Sequence, residues 1–293
     1  MSEGPPLPIA ELCRLDLNEL RRTLPMDEAG DRFFALVCFV KAHDRFPGDQ
    51  ALFNDVIYRI KTTSAIRDPL RVFVTDKEFC KVYVGAEAGH GFAVPTLAIL
   101  HTPKQVDAFT FPDECCIKPT HASGQVILRR NGDPIDRDRI RRWLGLSYYP
   151  VWREANYRTL QPKIIVEPLL FGDIDIPDYK IFCCRGKPRL ILVNMNGRSN
   201  PSRTFFDIDW VEQDFWVERQ RPALPPPRPA NLETMLAVAA RVSRRFSFVR
   251  VDFYSDGQRC YVGEITNCPG NGMERFSPSD AEARASRMIF ART

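Results

Sequence analysis

Hydrophobic positions near the start of the chain recur with the spacing of an α-helix. Leu12, Leu15 and Leu20 follow one another at short intervals, and a similar apolar group surrounds Val37. Residues three or four apart lie on one side of a helix, so this spacing predicts amphipathic helices whose apolar faces need a partner. We therefore expect a helical N-terminal region over residues 1–70.

Beyond that region the pattern changes to short apolar runs bounded by turn residues, which is typical of strands. Thr75 and Glu78 have the spacing of a capping box and predict the start of a further helix. The stretch from Pro222 to Pro229 is proline-rich and predicts an extended surface loop. Strands are predicted at 94–100, 115–118, 125–128, 163–170, 178–184, 189–193, 248–254 and 260–266, and helices at 136–144 and 232–246.

This order of elements predicts an α+β protein with two further parts. The first part, residues 71–166, contains the hairpin described next, and the second, residues 167–293, contains the remaining strands.

The stretch Cys115–Leu128 is a strand that ends in Lys118, a loop of small residues, and a second strand. A loop rich in Gly, Ser and Thr brings backbone N–H groups close to an anion, and a lysine beside it adds a charge suited to phosphate. An ordinary hairpin with an exposed lysine has the same pattern. The chain has neither a Walker A loop nor a GxGxxG motif.

A second candidate site lies near the C-terminal end. Arg250 and Asp252 alternate onto one face of a strand, and the turn after it returns Glu264 to the neighbouring position. Two carboxylates on one sheet face suit Mg²⁺ that carries nucleotide phosphates. A surface pair of carboxylates is the alternative, and the lysine loop together with a further strand lysine, Lys180, favours the metal.

Composition limits the remaining classes of function. The formal net charge of +4 over 293 residues is too small for nucleic-acid binding by bulk electrostatics, but it is compatible with small anionic substrates. Nine scattered cysteines without a CxxC pair indicate reduced thiols in a cytoplasmic protein rather than a zinc site. We expect neither a signal peptide nor a membrane span, since no apolar stretch approaches 18 residues.

Four motifs carry a resemblance to a known family: Ile117–Gly124, Asp178–Phe182, Arg203–Trp210 and Phe248–Asp252. Their order, followed by Gly-Glu-Ile-Thr-Asn-Cys-Pro-Gly, resembles the ATP-grasp superfamily, which includes D-alanine–D-alanine ligase. Within it, the chain is most similar to the TupA-like group of teichuronopeptide and other cell-surface polymer clusters. The resemblance covers residues 50 to 290.

This resemblance implies an ATP-grasp fold in which two α+β lobes clasp ATP, preceded by the helical region. It implies a ligase that uses ATP and Mg²⁺ to join small-molecule or polymer-linked carboxylates to amines through an acyl phosphate. The alternatives are a phosphotransferase that stops at a phosphorylated product and a nucleotide-binding module without catalysis. Oligomeric state and the role of the first fifty residues stay open.

The resemblance also implies roles for individual residues. Asp173 or Asp175 is the candidate for the ribose, and the main chain from Glu167 to Leu170 would read the adenine. The ATP-binding set that it implies is Lys118, His121, Ser123, Gly124, Glu167, Leu169 and Lys180.

For the metal, the resemblance implies Asp252, Glu264 and Asn267. Related ligases commonly have Glu-x-Asn, but here Thr266 stands at the Asn position, and strand alternation turns Asn267 away unless a bulge intervenes. The catalytic set that it implies is Arg250, Lys180 and Arg203, and the arginines considered for binding a substrate carboxylate are Arg198, Arg203 and Arg275.

Overall fold

The computed structural model describes residues 7–172, 176–195, 202–217 and 224–291. In these residues it has helices α1 (Ile9–Arg14), α2 (Leu17–Thr23), α3 (Glu28–His43), α4 (Phe53–Thr62), α5 (Pro69–Thr75), α6 (Lys77–Ala88), α7 (Pro103–Ala108), α8 (Arg137–Leu144), α9 (Tyr149–Trp152), α10 (Leu232–Ser243) and α11 (Ala281–Phe290). None of them combines the length and the apolar character that crossing a bilayer requires.

The helical N-terminal region is present as predicted, but the start of α6 differs from the prediction. Asp76, not Thr75, is the residue that caps α6, and its carboxylate accepts the backbone N–H groups of Glu78 and Phe79. Thr75 is the last residue of α5, and its hydroxyl donates to the carbonyl of Arg71 at 2.7 Å. Two helices therefore meet at Asp76, where the sequence pattern showed one helix start.

Within the described ranges the strands form three antiparallel sheets. The strands are β1 (Ala98–Leu100), β2 (Cys115–Pro119), β3 (Ile127–Arg129), β4 (Ile164–Pro168), β5 (Asp178–Cys184), β6 (Lys187–Met195), β7 (Ser202–Phe206), β8 (Trp216–Val217), β9 (Phe248–Ser255), β10 (Cys260–Thr266) and β11 (Phe276–Ser277). The four-stranded sheet has the order β1-β4-β2-β3, the five-stranded sheet has the order β10-β9-β5-β6-β7, and β8 pairs with β11. The predicted α+β class is confirmed.

The two faces of the five-stranded sheet differ. One face is apolar along its whole length and packs against α6 and α10 through residues such as Ile181, Val251 and Met235. The other face is apolar at one end only, where Phe182 and Phe248 pack against α4 and α11. The polar end of this face borders a cleft shared with the four-stranded sheet.

The predicted division into residues 1–70, 71–166 and 167–293 stays a prediction. The sheet boundary falls close to its second border, between the end of β4 at Pro168 and the start of β5 at Asp178. Helix α4 of the N-terminal region packs directly on the five-stranded sheet, so the N-terminal helices share a core with the C-terminal part.

Candidate nucleotide and metal site

Lys118 lies at the end of β2 and is almost fully buried. Cys116 pairs with Glu167 on β4, so Lys118, two residues further on, lies on the same face as that carboxylate. Its Nζ is 2.7 Å from Oε2 of Glu167, and Nζ of Lys81 on α6 is 2.5 Å from Oε1. Two lysines thus share one buried carboxylate.

The electrostatic interactions in this cluster favour the charged forms of Glu167 and Lys118. Burial alone would raise the pKa of Glu167, but Lys118 and Lys81 outweigh burial and hold that pKa below its ordinary value. Burial would lower the pKa of Lys118, and Glu167 outweighs this too, so the pKa of Lys118 is raised. Lys118 therefore presents a permanent positive charge to the cleft.

The cleft beside Lys118 has a volume of about 550 Å³ and is lined by both sheets. Gly124 in the loop after β2 has φ +76°, a conformation that favours glycine, and its Cβ position faces open space. The lining residues are Lys77, Cys116, Lys118, Ser123, Gly124, Gln125, Val126, Leu128, Arg130, Glu167, Pro168, Leu169, Leu170, Ile176, Tyr254, Gly263 and Glu264.

His121 and Lys180 are the members of the implied ATP-binding set that are not among the residues lining this cleft. The His121 side chain is buried, and its Nδ1 accepts the backbone N–H of Lys163 at 3.3 Å. Burial lowers the pKa of His121, which favours the neutral ring. The structure therefore places the His121 ring against the backbone of Lys163 and not in the lining of the cleft.

Lys180, Asp178 and Asp252 form a second polar cluster on the five-stranded sheet. Lys180 on β5 lies opposite Asp252 on β9, with its Nζ 2.8 Å from Oδ2 of Asp252 and 2.6 Å from Oδ2 of Asp178. Arg250 forms two bonds of 2.7 Å to Asp252. One carboxylate, that of Asp252, is thus shared by two cations.

The pKa values of the two aspartates shift in opposite directions. Burial would raise the pKa of Asp252, but Arg250 and Lys180 outweigh it, and the pKa is lowered. For Asp178, burial raises the pKa and Lys180 offsets it only in part. Asp252 is therefore the firmly ionised member.

Glu264 reaches the Asp252 face because of a β-bulge at Gly263. Val262 pairs with Phe253 and Glu264 with Asp252, so the extra residue turns Glu264 onto the cleft side. A Cβ at Gly263 would lie 2.5 Å from the ring of Tyr254, so the bulge needs glycine. Among the described residues the Glu264 carboxylate takes part in no hydrogen bond or ion pair, and it lines the cleft.

Asn267 does not join these carboxylates. No bulge lies between Glu264 and Thr266, so Asn267 turns to the opposite side and is buried against α5. Its Oδ1 accepts from Arg71 at 2.9 Å, and its Nδ2 donates to Oγ1 of Thr75 at 3.1 Å. The structure therefore does not bring Asn267 to the two carboxylates, and both of its side-chain polar atoms are engaged elsewhere.

Thr266, the residue before Asn267, lies on the same side of the sheet as Arg250 and Asp252. It lies opposite Arg250, and its hydroxyl accepts a bond of 3.2 Å from that guanidinium. In the described part of the chain no group of three or more His, Cys, Asp or Glu side chains could hold a metal. Asp252 and Glu264 are thus a pair of carboxylates, and bound Mg²⁺ commonly has one or two carboxylates together with substrate phosphates.

The arginines considered for substrate binding lie in different places. Arg203 on β7 pairs with Asn194 on β6, which pairs with Asp178 on β5, so Arg203 shares the sheet face of the second cluster and lies two strands away from β5. Arg275 is exposed and donates to the carbonyl of Lys41. Arg198, Asp173 and Asp175 lie outside the described residues.

Lys77, Lys81 and Asp178 are polar residues of the site that the sequence reasoning missed. Lys77 and Lys81 are four residues apart on α6, a spacing that places both on one face of a helix. Lys77 lines the cleft and donates to the carbonyl of Ala122 at 2.6 Å. Asp178 alternates with Lys180 on β5, so strand periodicity was the signal that could have found it.

Two antiparallel sheets border one cleft, with Lys118 on one sheet and the carboxylates of Asp252 and Glu264 on the other, which is the arrangement that the resemblance to ATP-grasp proteins implies. The family model for TupA-like ATP-grasp proteins matches residues 57–285. The chain belongs to the TupA-like ATP-grasp family, as its motifs predicted. No curated protein sequence matches it.

Several solved structures are similar to the chain at a distance. D-alanine–D-alanine ligase from Bacillus anthracis complexed with ATP is 16% identical over 68% of this chain and 55% of its own, with a TM-score of 0.36. The D-cycloserine synthetase DcsG is 14% identical over 80% and 76%, with a TM-score of 0.43. The ATP-grasp ligase PsnB complexed with minimal precursor, Mg and ADP is 12% identical over 73% and 58%, with a TM-score of 0.39. The chain thus spans little more than half the length of the first and the last, and the assignment to the family depends on the family model.

Proposed function

We propose that this protein is an ATP- and Mg²⁺-dependent carboxylate–amine ligase that forms an amide through an acyl phosphate. The observation that carries the proposal is the arrangement across one cleft. The buried, charged Lys118 lies on one sheet, and on the other lie Asp252 and Glu264, whose carboxylate has no partner among the described residues. Polyphosphate suits the first group and a divalent cation suits the second.

For the nucleotide, we assign the triphosphate to the side of Lys118, Ser123 and Gly124. The conformation of Gly124 and the open space beside it let the backbone approach a phosphate closely. We assign the adenine to the main chain around Glu167 and Leu169, which line the same cleft. Lys77 is a second lysine at the phosphate side.

For the metal, the donor set fits Mg²⁺, which prefers carboxylate oxygens and retains positions for phosphate and water. Asp252 and Glu264 would hold it, and when bound it would offset charge on the phosphate oxygens. Asp252 also keeps Arg250 and Lys180 in place.

The cations of the second cluster have a separate task. As the carboxylate substrate attacks the γ-phosphorus, negative charge gathers on the transferring group, and fixed cations stabilise that charge most when they need no reorganisation. Arg250 is fixed by Asp252 and Thr266, and Lys180 by Asp178 and Asp252. We assign these two side chains to the acyl phosphate and Arg203, on the same face, to the carboxylate substrate.

For its biological setting, we propose amide formation in cell-surface polymer or secondary-metabolite biosynthesis, in the cytoplasm, with small-molecule or polymer-linked substrates. The TupA-like family supports this placement. The identities of the acid and the amine are open to a direct screen.

The test is a trapping experiment. The D- and L-amino acids and simple dicarboxylic acids are each incubated with ATP, Mg²⁺ and hydroxylamine, and hydroxamate and ADP are measured. For an acid that reacts, ¹⁸O in its carboxylate should appear in inorganic phosphate, since one carboxylate oxygen leaves with the phosphoryl group. A stable phosphorylated product with no label in phosphate would assign the protein as a kinase. ATP-dependent thermal stabilisation without ADP release across the screen would assign it as a binding module.

A further inference from the structure

Glu154 is a buried carboxylate that the proposed chemistry of ATP and metal does not use. It lies between α9 and the short 3-10 turn Ala155–Tyr157, and only 7% of the residue is exposed. It takes part in no ion pair within the described residues. A carboxylate at this depth without a cationic partner in contact is costly, which points to a ligand that supplies the partner.

The residues on both sides of Glu154 fix its position. Arg153 is fully buried and donates to the carbonyls of Pro25 at 2.8 Å and Leu24 at 3.0 Å. Asn156 donates to the hydroxyl of Thr75 at 2.8 Å, and the same hydroxyl accepts from Asn267 at 3.1 Å. The segment is thus tied to the N-terminal helices on one side and to the end of β10, beyond Glu264, on the other.

The polar neighbours of Glu154 come from α4 and from the loop after β10. Lys61 on α4 is buried and donates to Oδ1 of Asn271 at 3.0 Å, and the Asn271 side chain hydrogen-bonds to Glu154. His43 contacts the carbonyl of Gly272 in the same loop at 2.9 Å. The N-terminal helices therefore position both Glu154 and its neighbours.

Two tyrosines connect this cluster to the ATP cleft. Tyr148 hydrogen-bonds to Ser123 in the phosphate loop, and burial raises its pKa to about 12. Burial also raises the pKa of Tyr157, and the charges of Glu264 and Glu154 raise it further. Both phenols therefore keep their protons at neutral pH and remain hydrogen-bond donors beside Glu154 and Glu264.

The charge state of Glu154 suits proton transfer near neutral pH. Burial raises its pKa to about 7, Lys61 opposes that shift, and Glu264 adds to it. The other titratable groups that face it are Tyr148, Tyr157 and Cys268, and the thiol of Cys268 is neutral because burial raises its pKa. A carboxyl group of this kind can take a proton from an ammonium group and release it to water.

We propose that Glu154, Asn271 and Tyr157 form the subsite for the amine substrate, where the Glu154 carboxylate binds the incoming ammonium group and accepts its proton. This inference rests on the proposed ligase function and names its acceptor side. The amine nitrogen then attacks the carbonyl carbon of the acyl phosphate, a C–N bond forms, and the C–O bond to phosphate breaks. The nitrogen loses two protons in this sequence: the first passes to the Glu154 carboxylate before the attack, and the second leaves with the phosphate. The phosphate also takes the electron pair of the broken C–O bond and departs as hydrogen phosphate.

The experiment compares two nucleophiles in wild type and Glu154→Gln. Amino acids, offered one at a time as amines, arrive as ammonium ions, whereas hydroxylamine is largely unprotonated at neutral pH and needs no base. With an acid from the trapping screen, we expect Glu154→Gln to lower amide formation by about a hundredfold. Hydroxamate formation should stay within about threefold. Amide formation by wild type should rise with pH through about 7, and the variant should lack that rise.

Controls separate this role from a structural one. Glu87→Gln removes another nearly buried carboxylate, which pairs with Arg244 at 2.8 Å away from the cleft, and should leave the ratio of amide to hydroxamate unchanged. Lys61→Met should move the pH at which amide formation rises upward, since Lys61 lowers the pKa of Glu154. Equal loss of both products in Glu154→Gln, or amide formation within about threefold of wild type, would overturn the proposal. Wild type that forms no hydroxamate with any acid would overturn the ligase assignment and the amine subsite with it.

Discussion

The polar clusters on the two sides of the cleft differ in the balance of cations and carboxylates. On the four-stranded sheet, Lys118 and Lys81 share the single carboxylate of Glu167, which leaves positive charge in excess. On the five-stranded sheet, Lys180 and Arg250 share Asp252, and the carboxylates of Asp178 and Glu264 lie beside it, so this cluster holds three carboxylates and two cations. The first side is complementary to phosphate and the second to a cation.

The two clusters also differ in what the loss of one charged side chain leaves behind. In the first, loss of one lysine leaves Glu167 with the other. In the second, loss of Asp252 leaves two largely buried cations without their shared partner. Removing one partner of a buried charge pair costs more than the pair contributes, because the remaining charge stays desolvated.

The largest effect is therefore expected from Asp252→Asn. We expect its free energy of unfolding to fall by about 3 kcal/mol, because Arg250 and Lys180 lose their common anion. Turnover should fall by about a thousandfold through loss of the metal ligand and of the fixed cations. Urea unfolding and ADP release measure the two effects. Asp256→Asn, in the exposed turn after β9, is the matched control. It removes the charge that pairs with Arg259 but keeps an Oδ1 that can accept the backbone N–H groups of Gln258 and Arg259, so turnover should be unchanged.

This stability difference should depend on pH in a defined direction. The pKa of Asp252 is lowered in the folded state, so its contribution is present above the unfolded value and is lost as the pH falls through the folded value. The difference between wild type and Asp252→Asn should thus be constant near neutrality and shrink below about pH 4. A difference that grows on acidification would contradict the ionised state of Asp252.

A smaller effect is expected from Lys118→Met. Loss of one charge-assisted phosphate contact should weaken ATP binding by about 30-fold. The fold should tolerate the change because Lys81 still holds Glu167. Lys81→Met is the matched control, since Lys81 contacts the same carboxylate but does not line the cleft. Calorimetric titration with an ATP analogue should show the larger loss in Lys118→Met, and equal losses would argue against the phosphate assignment.

Glu264→Gln should change the Mg²⁺ requirement and leave the stability of the fold nearly unchanged. Because the carboxylate has no partner among the described residues, the melting temperature should hardly change. The Mg²⁺ concentration for half-maximal activity should rise about tenfold, which corresponds to roughly 1.4 kcal/mol. Full activity of this variant at low Mg²⁺ would remove Glu264 from the metal site.

The smallest effect on activity is expected from Asn267→Ala. Its amide holds the buried Arg71 guanidinium and Thr75, so the variant should lose about 2 kcal/mol of stability. The Mg²⁺ requirement of the folded protein should match wild type. A shifted requirement would return Asn267 to the metal ligands.

Part of this site followed from the sequence because its geometry is local. Strand periodicity placed Arg250 and Asp252 on one face, and the short turn after β9 brought Glu264 opposite Asp252. The same reasoning from local pattern predicted Lys118 at the end of β2, and the loop after it, as a candidate phosphate site. Hairpin partners are close in sequence, so a pattern over twenty residues is enough to pair them.

Other features depend on segments far apart in the chain. The pairing of β2 with β4 and the approach of α6 bring Lys81 and Lys118 to Glu167, and no local period encodes that meeting. The orientation of the Asn267 side chain depends on α5, because Arg71 and Thr75 of that helix hydrogen-bond to its amide.

By itself, then, the sequence determined the helical N-terminal region, the hairpins β2–β3, β5–β6 and β9–β10, and the family, since each depends on side chains that recur along a short stretch. It did not predict α7, α9, α11, β7, β8 or β11. Only the tertiary structure decided which charges share a partner and what the N-terminal helices do around Glu154. Such contacts depend on how whole elements pack, and packing is set by the apolar faces of all of them together.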